Sequence, residues 1–128
     1  MQFAKIFAAL SLAAVLAVPA FAAEPSPVGT WQSTTGESRY KVTTCGDGTQ
    51  ICARLTWLRA DARTPENLRY LNKTVVYGAV PTGPNEWKGT VSYDGQVFRG
   101  SLTLESSNHL ELSGCQAIFC QSMRFQRL

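Results

Sequence analysis

Four cysteines in two close pairs, Cys45 with Cys52 and Cys115 with Cys120, are the residues with the clearest chemical reading in this chain. Three chemistries are open to them: a thiolate metal site, thiol redox, or structural crosslinks. A zinc site of this kind needs four thiolates at tight spacing converging on one ion. Here six and four residues intervene within the pairs, which is wider than the usual knuckle. A redox pair needs C-x-x-C or an exposed thiol of lowered pKa, and neither pair has that spacing. Four cysteines allow three disulfide pairings. Each close pair flanks a turn, so the expectation is two local staples, Cys45–Cys52 and Cys115–Cys120, in an oxidising compartment.

Catalytic chemistry finds little support. His109 is the only histidine and follows Asn108 beside a turn, so it cannot supply a histidine-rich metal site. A Ser-His-Asp device would have to use it, and the Gly-x-Ser-x-Gly elbow is missing. Glu37, Asp47, Asp61, Glu66, Asp94, Glu105 and Glu111 fall in turns or at strand ends, where solvated surface charge is the ordinary role. No glycine-rich phosphate loop leads from a strand into a helix. The reading is a protein that is not an enzyme, with no catalytic residue, no metal and no cofactor.

Binding is better supported. Trp57, Tyr77, Trp87, Tyr93 and Phe98 are candidates for the mouth of a cavity, and Arg54, Arg59, Arg63 and Arg69 gather around one irregular segment. The expected ligand-binding set is Arg54, Trp57, Arg59, Tyr77, Trp87 and Tyr93, suited to a small amphipathic or anionic molecule. The competing reading makes the aromatics ordinary core and the arginines ordinary surface, because a small eight-stranded barrel is filled by its own side chains.

These residues must be carried by strands. Residues 1–22 read as an export signal: Lys5 in a short positive region, an apolar run over 6–18, Pro19, then the A-x-A site Ala20-Phe21-Ala22. Cleavage there leaves no membrane anchor and 106 of the 128 residues, enough for one domain with a modest core. Losing Lys5 takes the formal net charge from +3 to +2, and without a basic run nucleic acid is not an expected partner. Residues 23–27 read as a short tether, and 28–128 as a single domain. Period-two alternation then recurs over 28–33, 38–45, 51–58, 74–80, 86–93, 96–104, 109–115 and 119–127. In the third of these strands Ile51, Ala53, Leu55 and Trp57 share a face, and in the last Phe119, Met123 and Phe125 do. Gly46-Asp47-Gly48, Asp94-Gly95 and Ser106-Ser107-Asn108 mark hairpins. Only residues 59–73 break the alternation, and Thr64-Pro65-Glu66 there is a helix start, with Thr64 as cap and Pro65 in the first turn. The fold class is all-β: an eight-stranded antiparallel meander with one short helix between strands 3 and 4, which either closes into a small barrel or folds into a sandwich, with the barrel favoured because closure leaves no exposed edge.

A resemblance follows from the order of the motifs. Gly29-Thr30-Trp31 opens the domain, and Cys45 precedes Cys52-Ala53-Arg54-Leu55-Thr56-Trp57-Leu58. Thr82-Gly83-Pro84-Asn85-Glu86-Trp87-Lys88-Gly89 and Tyr93-Asp94-Gly95 come later, and Leu112-Ser113-Gly114-Cys115, Cys120-Gln121-Ser122 and Arg127 close the series. Together they resemble the DUF2147 family of small exported bacterial proteins of unknown function. The chain departs from the family's usual pattern in a shortened stretch over 59–72 and in Phe125 at a position usually held by tryptophan. The resemblance implies a periplasmic location and a lipocalin-like barrel. Gly29-Thr30-Trp31 also resembles the G-x-W opening of lipocalins, in which an arginine of a late strand packs over the tryptophan, a part open here to Arg124 or Arg127. The function these readings point to is a periplasmic binding module for a small molecule. The alternative is a protein-interaction module in the envelope, solid inside, with another envelope protein as partner. The oligomeric state is left open.

Overall fold

The structure is a computed structural model that describes residues 25–93 and 95–128. The expected export signal, its expected cleavage site and Asp94 lie outside the described residues. Eight strands follow in order: β1 (Gly29–Ser33), β2 (Ser38–Cys45), β3 (Gln50–Leu58), β4 (Thr74–Gly83), β5 (Glu86–Tyr93), β6 (Gln96–Ser106), β7 (His109–Gln116) and β8 (Phe119–Arg127). Each pairs antiparallel with its neighbour, and β1 pairs with β8 through Trp31↔Arg127 and Ser33↔Phe125, closing the barrel. This is the up-and-down winding of lipocalin-like barrels, in which closure removes both unpaired edges.

The alternation read from the sequence becomes the inner and outer walls. Trp31, Val42, Ile51, Ala53, Leu55, Val91, Leu102, Leu104, Leu110 and Phe125 form the buried core. The two expected staples are present, with Sγ–Sγ joining Cys45 to Cys52 and Cys115 to Cys120. Between β3 and β4 the chain makes a 3-10 turn (Ala60–Ala62) and a single-turn helix, α1 (Pro65–Leu68). The Thr64 hydroxyl accepts from the Asn67 amide at 3.2 Å, so cap and proline sit where the sequence placed them.

Two expectations are corrected by bulges. Tyr40 faces Leu55 while Arg39 faces Trp57, so Thr56 is an extra residue in β3. The bulge reverses the alternation: Leu58 is buried in the core, and Trp57 turns to the outer wall under the Arg39 guanidinium, 4.3 Å from its ring centroid. Trp57 therefore does not share the face of Ile51, Ala53 and Leu55. In β4 the register slips between Tyr77 and Val80, around Gly78 at φ 50°, and the strand continues to Gly83 rather than ending at 80. The third correction concerns Phe119. It keeps the phase of Met123 and Phe125, but it lies beyond the rim of the barrel and is 74% exposed.

Candidate functional site

The barrel has a floor. Trp31 on β1 is fully buried, and its indole Nε1 donates to the Pro27 carbonyl at 2.8 Å. The Arg127 guanidinium lies 4.3 Å from the Trp31 ring centroid and donates to the carbonyls of Ser107 (2.7 Å), Val28 (2.8 Å) and Ser26 (2.5 Å). Arg127, not Arg124, thus takes the lipocalin-type position; Arg124 reaches Glu105 and Glu111 on the outer wall. Gly29 explains the first letter of the motif. Its φ is +145°, and a Cβ there would stand 2.6 Å from Arg127 Nη1. This end also gathers the β2–β3, β4–β5 and β6–β7 hairpins.

The opposite end is a mouth. A cavity of about 100 Å³ runs from Trp31 up to it, walled by Val42, Ala53, Leu55, Val76, Val91, Leu102 and Phe125. The polar atoms collect at the rim: Ser33, Thr35, Glu37 and Ser38 from the β1–β2 turn, Asn67 and Tyr70 from the β3–β4 connection, and Ser92 and Tyr93 from β5. The Ser33 hydroxyl accepts from the amides of Glu37 (3.1 Å) and Ser38 (3.2 Å) and is partnered by Thr35. No buried side-chain N or O among the described residues lacks a partner. Burial pushes the Tyr40 hydroxyl above its ordinary pKa; a hydrogen bond with Ser38 opposes this, and Tyr93 and Glu37 add to it.

Residues 59–73 form a strap across this mouth, fastened at both sides. On one side the Arg59 guanidinium donates to Thr35 O (3.1 Å) and holds Asp61 through two bonds of 2.6 and 2.9 Å, with Glu37 at 3.9 Å. The Asp61 carboxyl is held below the usual carboxylate range by Arg59, and the Arg59 pKa is raised in return. On the other side the Tyr70 hydroxyl accepts from the Gly95 amide of the β5–β6 turn at 2.5 Å. Asn67 Nδ2 braces the strap from within by donating to Ala62 O at 2.9 Å.

Among the six residues expected to bind ligand, Tyr93 borders the cavity. Arg59 fastens the strap. Trp57 stacks under Arg39 on the outer wall, and Tyr77 is 50% exposed there. Arg54 stands directly opposite Lys41, in a shallow outer groove with Thr43, Cys52 and Thr74. Trp87 is half-buried against the core but lies outside the cavity wall. The structure therefore does not bring these six together. The residues that do meet at the mouth include Ser33, Ser38, Asn67 and Tyr70, which the sequence reading passed over. Tyr40 and Val42 follow the period-two alternation of β2, but a serine at a turn or a tyrosine in an irregular segment carries no periodic signal. No three His, Cys, Asp or Glu side chains converge among the described residues.

Fold and site together define a small, disulfide-stapled, closed antiparallel barrel with a floored and strapped interior cavity. The chain belongs to the DUF2147 family, uncharacterised proteins conserved in bacteria, whose model matches residues 29–127. Among solved structures it is similar to a redesigned β-barrel, at 14% identity over 79% of this chain and 90% of that one, with a TM-score of 0.49. No curated protein matches it.

Proposed function

We propose that this barrel is a non-catalytic binding module that holds the apolar part of a small amphipathic molecule beneath the 59–73 strap, with no cofactor. The observation that carries the reading is the cavity of about 100 Å³, apolar along its walls and polar only at its mouth. Such a site removes apolar surface from water while leaving a polar head among hydroxyls at the rim. The volume suits a single ring or a short branched chain, since a dry apolar cavity of comparable size accommodates benzene. An anionic head is less well served by Arg59, whose guanidinium is occupied by Asp61 and Thr35. The export signal read over 1–22 and the two disulfides support action in the periplasm.

The test is a titration of purified oxidised protein with a polarity-sensitive naphthylamine dye and single-ring hydrophobic compounds, alongside the variant Ala53→Leu. Ala53 borders the cavity, and a leucine there fills it. Saturable binding by the parent and its loss in a variant with an unchanged circular-dichroism spectrum are expected. Equal binding by both proteins, or none by the parent, would refute the cavity as the site. The solid-barrel alternative required a filled interior, and the cavity speaks against it.

A further inference from the structure

The β7–β8 hairpin does not stop where the barrel does. The last β6–β7 pair is Gly100↔Gly114, and β8 meets the β1 end of the barrel only from Arg124 onward, where its carbonyl accepts from the Thr34 amide at 3.0 Å. Residues 115–122 therefore run on as a two-stranded ribbon past the mouth, and all of them are exposed. Its tip is Ala117-Ile118, with Ala117 at φ 54°, and Ile118 and Phe119 are 88% and 74% exposed. A free two-stranded ribbon is marginal in water. This one is braced by Cys115–Cys120, directly opposite one another and one pair below Phe119. About half of its backbone polar groups are paired across the hairpin, while the outward-facing ones and its two largest side chains stand in solvent.

Residue types are layered along the ribbon. Ile118 is at the tip, Phe119 stands opposite the neutral amide of Gln116, the disulfide comes next, Gln121 follows opposite Gly114, and charge appears along the hairpin only behind these, at Glu111 opposite Arg124. The Arg99 carbonyl lies 3.4 Å from where a Gly114 Cβ would be, so Arg99 flanks the ribbon's base. Arg63 and Arg69 sit on the strap at the same end. None of the three makes an ion pair among the described residues, while Glu66 is the acid of the strap that also makes none. Apolar, then neutral polar, then cationic is the order in which a bilayer with anionic headgroups presents complementary layers. A convex tip of two side chains is also far smaller than the patch a stable protein interface buries.

We propose that the Ile118–Phe119 tip of the β7–β8 ribbon inserts into a phospholipid surface bearing anionic headgroups, seating the mouth of the barrel against it. The inference is independent of the cavity reading, because it requires no ligand. The test is co-sedimentation of the oxidised protein with vesicles of mixed phosphatidylcholine and phosphatidylglycerol. The parent, the tip variant Ile118→Ser with Phe119→Ser, and Arg99→Gln are compared. The parent should bind reversibly. The tip variant should bind at least about tenfold more weakly, because both inserted side chains are lost. Arg99→Gln should lose about fivefold on mixed vesicles and nothing on pure phosphatidylcholine. All three side chains are solvent-facing, so the variants should keep the parent melting temperature. Vesicle binding indifferent to the tip, or no binding by the parent, overturns the proposal. So does a tip variant that abolishes self-association while leaving vesicle binding intact, which would give the tip to a second copy of the chain.

Discussion

Arg127→Met removes the guanidinium beneath the barrel floor while keeping an apolar stem over Trp31. The structure assigns that guanidinium three hydrogen bonds to carbonyls, at 2.5–2.8 Å, and one face-on contact with a fully buried indole. These bonds lie near solvent, so each is taken at the low end of the usual net range, about 0.5 kcal/mol, or roughly 1.5 kcal/mol for the three. The cation–π contact adds about 0.5–1 kcal/mol. The expected loss is about 2 kcal/mol, a drop in melting temperature of roughly 8–16 °C for a domain of this size. Arg127→Lys retains the charge over the ring but not the planar fork, and should lose about half as much. Urea unfolding followed by tryptophan fluorescence and far-UV circular dichroism gives both numbers, and an unchanged denaturant slope would show that the native state is affected. A cost below about 0.5 kcal/mol for Arg127→Met would refute the reasoning, since it would mean that Trp31 is held by packing alone.

Three further outcomes follow from other parts of the barrel. Gly89→Ala should cost about 2–3 kcal/mol in urea unfolding, because its Cβ would stand 2.7 Å from the backbone Cα of fully buried Ala79, which cannot swing away. Replacing Cys45 and Cys52 together by alanine should cost about 2.5 kcal/mol by loop entropy. The same change at Cys115 and Cys120 should cost less, because that ring closes a ribbon outside the barrel; calorimetry on both variants checks the order. Tyr40 sets an alkaline limit. Its folded pKa is raised by burial, so its contribution to stability is complete below the unfolded tyrosine value near 10 and is lost as pH rises through the folded value. Urea unfolding above pH 10 should therefore show a steeper alkaline decline in the parent than in Tyr40→Phe, and equal slopes would contradict the assignment.

Much of the strand pattern was legible because side chains in a strand alternate with period two and turns demand special residues. β2, β5 and β8 begin and end where alternation and the Gly and Asn signals place them, and the Thr64 cap with Pro65 located α1. The cysteine pairing was legible for a related reason: residues that flank one tight turn are brought together by the hairpin itself. The site was much less legible. Trp57 was assigned inward by counting from Ile51, and one inserted residue, Thr56, reversed it; a bulge leaves no mark in a period-two pattern.

What the sequence determined by itself is therefore local: which stretches are strands, where they turn, which cysteines meet, and that the sheet has one apolar face. Closure of that sheet was decided by the tertiary structure, through β1 meeting β8 and Arg127 reaching across about a hundred residues of chain to Ser26 and Val28. The tertiary structure also decided that the barrel keeps a cavity under a strap fastened by Arg59 and Tyr70, and that Phe119, in phase with the core, stands in solvent instead. The physical reason is common to all three. Period and propensity fix the direction in which a side chain points. Whether anything lies in that direction depends on strand length relative to the barrel, on register and on bulges, which only the closed sheet sets.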